Sequence, residues 1–360
     1  GCEHILLGLL REGGGAACRA LGEAGVTEEQ LREQLGEKKF RASQVYQWLH
    51  QKLVTDFEQM TNLPESLRKT LKENCRLTAL TAERVQVSQI DGTSKYLFKL
   101  YDGNLIESVL MKYHHGNSVC ISSQVGCRMG CRFCASTLDG MVRNLAPSEM
   151  LDQIYRIQTI SGERVDNIVI MGSGEPMDNF QNVVQFLKLI NSDKGLHISA
   201  RNITVSTCGL VDKIRELADL QLQITLAISL HAPNDELRKT MMPIANKYSI
   251  EQIMEACRYY LKQTGRRISF EYSLVKGVND TQECAEQLSG LLHGMNCHVN
   301  LIPVNPIKER DYRQSEKQAI AAFKNKLERN GINVTIRREM GRDIDGACGQ
   351  LRKSYMESQQ

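Results

Sequence analysis

The sequence predicts an α/β protein built on a parallel sheet and preceded by a small helical domain. From about residue 115, short apolar strands alternate with helical segments. Repeated β-α-β units in one direction form a parallel sheet with right-handed crossovers. Before residue 80, apolar residues recur at helical spacing instead. The pattern leaves open whether the sheet stays open or closes into a complete or partial barrel.

The order of the elements follows from periodicity and turn signals. Residues 40–75 are predicted to be helical, and residues 80–112 to form short strands. Ser249 and Gln252 have the spacing of a helix cap, and Gly265 is placed to end that helix. The core strands are predicted at 118–122, 167–171, 203–206, 223–229, 268–274, 298–304 and 332–336. The core helices are predicted at 147–160, 180–191, 210–219, 249–264, 280–293 and 315–329.

Composition places the chain among ordinary globular proteins. Of its 360 residues, 41% are apolar and 24% are charged, which excludes a disordered or fibrous protein. The formal net charge of +3 neither requires nor excludes a nucleic-acid partner. No stretch approaches the roughly 18 apolar residues of a membrane helix, and the first residues lack the pattern of a signal sequence. We therefore expect a cytoplasmic protein without a membrane partner.

Unusual polar and small residues follow the predicted strands at the point where each strand ends. In barrels and open α/β sheets, the carboxyl ends of the strands form the edge at which a site is built. We therefore expect one site at this edge. Its candidate residues are Cys127, Cys131, Cys134, Gly174, Glu175, Ser206, Ser229, Leu230, His231 and Asn305.

Three of the twelve cysteines form a C-x3-C-x2-C cluster, Cys127, Cys131 and Cys134. Close thiolates suit zinc or an iron–sulfur cluster, but a structural zinc site and a ferredoxin cluster both need four ligands. Three thiolates leave one iron of a 4Fe–4S cluster open for a substrate ligand. This spacing resembles the signature of radical S-adenosylmethionine (SAM) enzymes, in which SAM chelates the open iron.

The Gly174-Glu175-Pro176 motif supports this interpretation. A glycine lets a ligand approach the backbone closely, and a carboxylate accepts hydrogen bonds from an ammonium group such as the SAM amino group. Taken alone, the motif is more typical of a plain turn than of a ligand site. The polar residues after later strands, each of which could also be a satisfied turn residue, are candidates to bind the ribose, carboxylate and adenine of SAM.

Two further cysteines narrow the resemblance to one family. Cys120 precedes the cluster by seven residues, and Cys348 lies in the motif Asp343-Ile-Asp-Gly-Ala-Cys348-Gly-Gln. Together with the cluster and Gly-Glu-Pro, they resemble the RlmN family of radical SAM adenine methyltransferases over about residues 37–360. The resemblance implies a partial (β/α)6-type barrel as the radical SAM core. The implied divisions are a helical accessory domain at 37–80, a β linker region at 81–112, the core at 113–341 and a C-terminal segment at 342–360.

The resemblance also implies a reaction. Cys348 would take a methyl group from one SAM, and a second SAM would yield a 5′-deoxyadenosyl radical that abstracts a hydrogen atom from this methyl group. The carbon radical would add to C2 of adenine and leave a protein–RNA thioether. Cys120 would resolve the thioether and form a disulfide bond with Cys348, and Glu107 matches a proton acceptor of the family.

The implied substrate is an adenosine in the peptidyl transferase centre of 23S ribosomal RNA and, for some members, an adenosine in tRNA. The implied electron donor is a flavodoxin or ferredoxin, and we expect a monomer. Basic residues could contact RNA, although each cluster alone is also typical of a solvated surface. They are Lys38, Lys39, Arg41, Arg266, Arg267, Arg337, Arg338, Arg342, Arg352 and Lys353.

Alternatives remain at the level of sequence. The related Cfr type methylates C8 of adenine and shares all five of these cysteines. A non-catalytic iron–sulfur protein that binds RNA would have no use for Cys120 and Cys348. Residues 1–36 do not resemble the RlmN family, and residues 3–13 resemble part of the N-terminal repeat of Clp-type chaperone ATPases. We assign no function to that segment.

Overall fold

The computed structural model describes residues 39–75, 77, 80–305, 311–344 and 350–358. Its centre is a ten-stranded sheet whose strands follow the chain order from one edge to the other, apart from a separate two-stranded hairpin. Segment 1–36 lies outside the described residues. None of the helices in the described part of the chain is long and apolar enough to span a membrane.

The first described elements are helical, as the periodicity predicts. Helix α1 (Lys39–His50) and helix α2 (Glu65–Asn74) flank a short 3-10 turn, and their buried residues join the main hydrophobic core. At the end of α1, His50 Nδ1 lies 2.8 Å from the hydroxyl of Tyr155. The helical segment is thus packed directly onto the larger part of the molecule.

Three antiparallel strands then extend the main sheet. Strands β1 (Thr81–Val87), β2 (Ser94–Lys99) and β3 (Leu105–Tyr113) pair in sequence, and β3 pairs with β4 (Gly116–Cys120). The short strands predicted here are therefore continuous with the main sheet. Strands β2 and β3 are buried along most of their length because further elements cover both of their faces.

Seven parallel strands form the core, and each of the six successive connections between them carries at least one helix. After β4 the parallel strands are β7 (Asn167–Ile170), β8 (Ile203–Thr207), β9 (Thr225–Ser229), β10 (Ile268–Leu274), β11 (Cys297–Pro303) and β12 (Asn333–Ile336). The crossover helices are α3 (Pro147–Ser161), α4 (Phe180–Asn191), α5 (Val211–Asp219), α7 (Ile250–Thr264), α8 (Gln282–Leu292) and α9 (Lys317–Arg329).

The sheet is not closed, because β1 and β12 form its two edges, so the partial (β/α)6-type barrel is confirmed. All predicted core strands and helices are present within two residues of their predicted ends. The capping box of Ser249 and Gln252 and the left-handed Gly265 are confirmed as well. The helix α6 (Asp235–Met241), the hairpin β5 (Gln124–Gly126) with β6 (Met141–Asn144), and helix α10 (Gln350–Ser358) were not predicted.

Alternating burial along the strands shows which side chains face the inside of the barrel. Leu226 and Phe270 point toward the helices and belong to the apolar core. Because side chains alternate across a strand, neighbours such as Ser229 and Glu271, which are paired in register, share the opposite face. The concave face of the sheet is therefore polar toward its carboxyl edge.

Candidate active site

The cysteine cluster lies on a loop closed by the β5–β6 hairpin. The backbone N–H of Cys127 donates to the carbonyl oxygen of Gly140 across 2.9 Å. Gly126 adopts φ +75°, and a Cβ there would lie 2.0 Å from the same carbonyl oxygen. Only glycine can occupy this position, since any side chain would push the two ends of the loop apart.

Two of the three thiols, Cys131 and Cys134, lie in a small apolar cluster. Cys127 and Cys131 are buried and Cys134 is half-buried. Cys131 packs with Met241 and Met242 at the end of α6, and the N–H of Arg132 donates to the carbonyl of Met241 across 2.9 Å. The C-terminal end of helix α6 therefore packs against the cysteine loop and is hydrogen-bonded to it.

Burial controls the chemistry of these thiols. It raises the pKa of Cys127 to about 12 and the pKa of Cys131 well above its ordinary value. Both sulfurs keep their protons unless a cation replaces them, as binding to iron does. Among the described residues, no three Cys, His, Asp or Glu side chains are arranged to hold a single metal ion. Three soft thiols on one loop fit a 4Fe–4S cluster by their chemistry.

The Gly-Glu-Pro loop after β7 packs directly on β5. Gly174 adopts φ +109°, and a Cβ there would lie 2.6 Å from Cβ and 2.8 Å from the backbone nitrogen of Gln124. The N–H of Glu175 donates to Oε1 of Gln124 across 2.8 Å. We predicted the close approach of a ligand at this glycine, and the structure shows that Gln124 makes the close approach.

Glu175 is buried and holds two strand ends together. Its Oε2 accepts from the N–H of Cys208 across 2.8 Å, and its Oε1 accepts from the N–H of Met177 across 3.0 Å. Burial raises the pKa of Glu175, whereas these hydrogen bonds favour the carboxylate. The side chains of Thr207 and Cys208 also donate to Glu175, so the carboxylate is bound on several sides by groups of the protein.

The strand ends of β8 and β9 place further predicted residues beside the cysteine loop. The hydroxyls of Ser206 and Ser229 lie 3.4 Å apart. His231 has φ +57°, and its Nδ1 accepts from the N–H of Ser273 across 2.9 Å. Burial lowers the pKa of His231 to about 3, so the ring is neutral and carries its proton on Nε2. Its ring contacts Phe133 edge to face, with centroids 4.6 Å apart.

Arg238 of α6 is a buried site residue that sequence analysis did not identify. Its Nη2 donates to the carbonyls of Cys208 across 2.6 Å and Ser229 across 3.3 Å, and its Nε donates to Leu230 across 3.1 Å. These bonds fix the backbone of two predicted site residues, Ser229 and Leu230, and of Cys208 beside them. The only sequence signal is a basic residue in a short helix, and the exposed Lys239 beside it has the same signal.

The remaining predicted residues lie at two places. Asn305 follows β11 and is exposed. Cys120 ends β4, where it pairs with Val109 of β3, and it is buried. Glu107 lies on β3, two residues before Val109, and is buried with its Oε2 3.1 Å from Nζ of Lys95. Because β-strand side chains alternate, Glu107 and Cys120 share one face of the sheet.

Cys348 lies outside the described residues. No disulfide joins the cysteines in the part of the chain that the structure describes. The predicted pairing of Cys120 with Cys348 is therefore not supported by the structure and stays a prediction.

Sequence comparison places this arrangement among known proteins. The radical SAM superfamily pattern matches residues 121–288, and the pattern of the ribosomal RNA large subunit methyltransferase N-terminal domain matches residues 24–77. A Lachnospira eligens protein named "Probable dual-specificity RNA methyltransferase RlmN" is 74% identical over 323 residues, covering 90% of this chain and 92% of that protein. A Lachnoclostridium phytofermentans protein of the same name is 64% identical, covering 92% and 94%.

Comparison with solved structures points to the same class of protein. The crystal structure of a radical SAM methyltransferase from Sphaerobacter thermophilus is 43% identical in sequence and superposes with a TM-score of 0.87, covering 91% of this chain and 97% of that one. The open barrel and the three-cysteine loop at its carboxyl edge define a radical SAM enzyme. Within that class, the chain belongs to the RlmN family of RNA methyltransferases. The N-terminal match begins at residue 24, so the prediction that residues 1–36 do not resemble the RlmN family is wrong for residues 24–36.

Proposed function

We propose that this enzyme methylates C2 of an adenosine in the peptidyl transferase centre of 23S rRNA, and of an adenosine in tRNA. The observation that carries the proposal is the convergence, at one sheet edge, of the cysteine loop with Glu175 and His231, while Cys120 ends a strand of the same sheet. The relatives named dual-specificity RNA methyltransferases support RNA as the substrate.

The binding roles follow from position and chemistry. Cys127, Cys131 and Cys134 would hold a 4Fe–4S cluster. When bound, the cluster and one SAM supply radical chemistry able to remove a hydrogen atom from a methyl group, and a second SAM supplies that methyl group. Backbone groups and side chains at the carboxyl ends of four strands would bind SAM. These residues are Gly174, Glu175, Ser206, Ser229, Leu230, His231 and Asn305.

Two cysteines would carry the covalent chemistry. Cys348, as a thiolate, takes the methyl group by displacement, and the carbon it then carries bonds to C2 of adenine. The adduct gives up one electron, which the bound cluster would accept, and the C2 proton, for which Cys120 and Glu107 are the candidate acceptors. The Cys120 thiolate then attacks the sulfur of Cys348. The carbon–sulfur bond breaks toward carbon, which takes a proton, and the sulfur–sulfur bond forms. Two electrons from outside the protein restore both thiols.

Glu107, on β3, forms a buried ion pair. Its Oε2 lies 3.1 Å from Nζ of Lys95, and the Lys95 side chain is fully buried. Glu107 and Cys120 face the same side of the sheet, as a proton acceptor and a resolving thiol for one substrate would need to do.

RNA would approach the carboxyl edge of the sheet. Arg337 and Arg338 directly follow β12 at this edge, and Arg338 is exposed. The target adenosine must leave its base stack to reach a site inside the barrel. We further propose a cytoplasmic monomer that receives electrons from a flavodoxin or ferredoxin, since the chemistry needs single electrons at low potential.

The test is a nucleoside analysis under anaerobic conditions. Wild type and Cys348→Ala are reconstituted with iron and sulfide and incubated with SAM, dithionite and unmodified 23S rRNA, and the digested nucleosides are analysed by mass spectrometry. We expect 2-methyladenosine from wild type alone. 8-Methyladenosine would assign the enzyme to the Cfr type. No methylated adenosine, with intact SAM cleavage, would refute the proposed reaction on 23S rRNA.

A further inference from the structure

The chain on both sides of Cys348 is fixed to the β1–β3 part of the sheet. Residues 339–344 lie on its N-terminal side and α10 on its C-terminal side. Three carboxylates make the attachments, and we refer to Asp91, Asp343 and Glu107 as the anchor carboxylates. The mechanism proposed above uses neither aspartate.

The chain N-terminal to Cys348 is attached to the turn between β1 and β2. Asp343 accepts from the hydroxyl of Ser88 across 2.6 Å and from the N–H of Gln89 across 2.7 Å. Asp91 accepts from the N–H of Gly341 across 2.9 Å. Hydrogen bonds to charged groups are stronger than hydrogen bonds between neutral groups. These three bonds therefore hold residues 341–343 firmly on the turn.

The C-terminal side is attached to β3. The N–H of Arg352, in the first turn of α10, donates to Oε1 of Glu107 across 2.5 Å. Leu351 is completely buried, and the hydroxyl of Tyr355 donates to Glu83 of β1 across 3.3 Å. Helix α10 thus lies across the sheet from β3 to β1, with its N-terminal end at Glu107.

The attached segment reaches the surroundings of Cys120. Met340 packs against the buried cluster of Val109, Met111 and Cys120. Contacts of this segment therefore run from the β1–β2 turn to the strand end that carries the resolving cysteine. Residues 340 and 352, both in contact with this part of the sheet, bracket Cys348 in the sequence.

We propose that Asp91 and Asp343 are positioning residues of the methyl transfer. They fix the N-terminal side of the Cys348 segment to the β1–β2 turn, while Glu107 fixes its C-terminal side, and the two attachments hold Cys348 within reach of Cys120. The functional meaning rests on the two-cysteine reaction proposed above. The attachment itself is independent of that reaction.

The physical basis is effective concentration. Two sulfurs form a bond only when they meet within about 2 Å in a narrow range of torsion angles. A segment held at both ends samples few positions, whereas a segment released at one end samples many, and the encounter rate falls accordingly. Replacing an anchor aspartate by asparagine keeps its shape but turns one acceptor into a donor that faces another donor.

The first arm of the test needs neither RNA nor cofactor. Apo wild type, Asp91→Asn and Asp343→Asn are treated with the thiol oxidant diamide, which takes two hydrogen atoms as two thiols become a disulfide. Formation of the Cys120–Cys348 disulfide is followed by peptide mass spectrometry. We expect this rate to fall about tenfold in each variant, the effect of losing one charge-assisted hydrogen bond. Urea unfolding verifies that both variants remain folded.

The matched control is Asp219→Asn, which weakens an exposed aspartate hydrogen bond, from the hydroxyl of Tyr259, in the helical layer. Its disulfide rate should equal that of wild type. Equal rates in wild type and both anchor variants would overturn the proposal, as would a folded wild type that forms no Cys120–Cys348 disulfide.

The second arm measures coupling in the reconstituted enzyme. We expect the ratio of 5′-deoxyadenosine released to methylated adenosine formed to rise about tenfold in both anchor variants, because SAM cleavage continues without productive transfer. A destabilised enzyme would lose both products together. An unchanged ratio would overturn the positioning role. Disulfide formation could be slow in both anchor variants while wild type methylates no RNA. That combination would support the attachment and refute the two-cysteine reaction.

Discussion

Two glycines at the site are required by contacts within the protein. Gly126 closes the cysteine loop against the carbonyl of Gly140, and Gly174 allows the Gly-Glu-Pro loop to pack on Gln124. Both have positive φ values, at which side chains are disfavoured. The binding groups of Glu175 and the cysteine loop therefore depend on backbone positions that any Cβ would displace.

We predict that Gly174→Ala destabilises the fold by on the order of 3 kcal/mol, because its Cβ would overlap backbone and side-chain atoms of Gln124. Iron incorporation should fall in parallel, since the displaced loop neighbours the cysteine loop. Urea unfolding and the iron content after reconstitution measure the two effects.

The matched control is Gly162→Ala. Gly162 also has a positive φ, +71°, but no atom lies within 4 Å of the position of its Cβ. The Gly162→Ala variant should lose only about 1 kcal/mol of its free energy of unfolding, which is the penalty of the left-handed backbone. Equal losses of stability in the two variants would show that the contact with Gln124 is unimportant.

At the residue scale, sequence analysis identified the groups with recognisable chemistry and missed those defined by packing. Cys127, Glu175 and His231 stand in short motifs at strand ends, where the chemistry of each residue type points to a ligand. Gln124 and Arg238 act through hydrogen bonds to backbone groups that are distant in the sequence. Such bonds depend on how loops from different strands meet, and neither periodicity nor composition encodes that.

At the scale of elements, titratable groups are buried where α1 and the residue before β1 pack on α3. Burial lowers the pKa of His50 from 6.5 to about 4, and raises the pKa of Asp152, one turn before Tyr155, to about 7. The histidine therefore favours folding above pH 6.5 and loses this contribution as the pH falls toward 4. The aspartate favours folding below its ordinary pKa and loses this contribution as the pH rises through 7.

The two groups change the free energy of unfolding with pH in opposite directions. Asp152 is present in both wild type and His50→Gln, so comparing the two proteins at each pH cancels its contribution and leaves that of His50. We predict that the variant is destabilised most at pH 7, and that the ratio of the two unfolding constants shrinks up to tenfold per pH unit between pH 6.5 and 4. Urea titrations at several pH values measure this ratio. A ratio independent of pH would mean that His50 titrates normally in the folded state.

The sequence predicted the elements of the parallel core well because each strand and helix is bounded by its own turn and cap residues, such as Ser249 and Gly265. It did not predict that β1–β3 join the same sheet, because strand pairing is a long-range property. It also did not predict α6, whose seven residues are too few to show a period.

At the scale of the whole molecule, the site combines two parts of the fold. The parallel barrel supplies the cysteine loop and the strand ends that we propose to bind SAM. The antiparallel extension holds the chain on both sides of Cys348 through Asp91, Asp343 and Glu107. Cys120 stands at the junction, on the strand that pairs with β3 on one side and β7 on the other. In the proposed reaction, a radical source and two thiols would meet at one substrate.

The most direct test of the two-cysteine reaction is to remove only the resolving thiol. In the reconstituted Cys120→Ala enzyme, the thioether between Cys348 and RNA should form and persist, because no sulfur attacks it. Denaturing gels with labelled 23S rRNA fragments measure this adduct, with wild type and Cys120→Ala/Cys348→Ala as controls. We predict a covalent protein–RNA band in Cys120→Ala alone. A Cys120→Ala enzyme that forms no adduct and releases methylated adenosine at the wild-type rate would contradict the account.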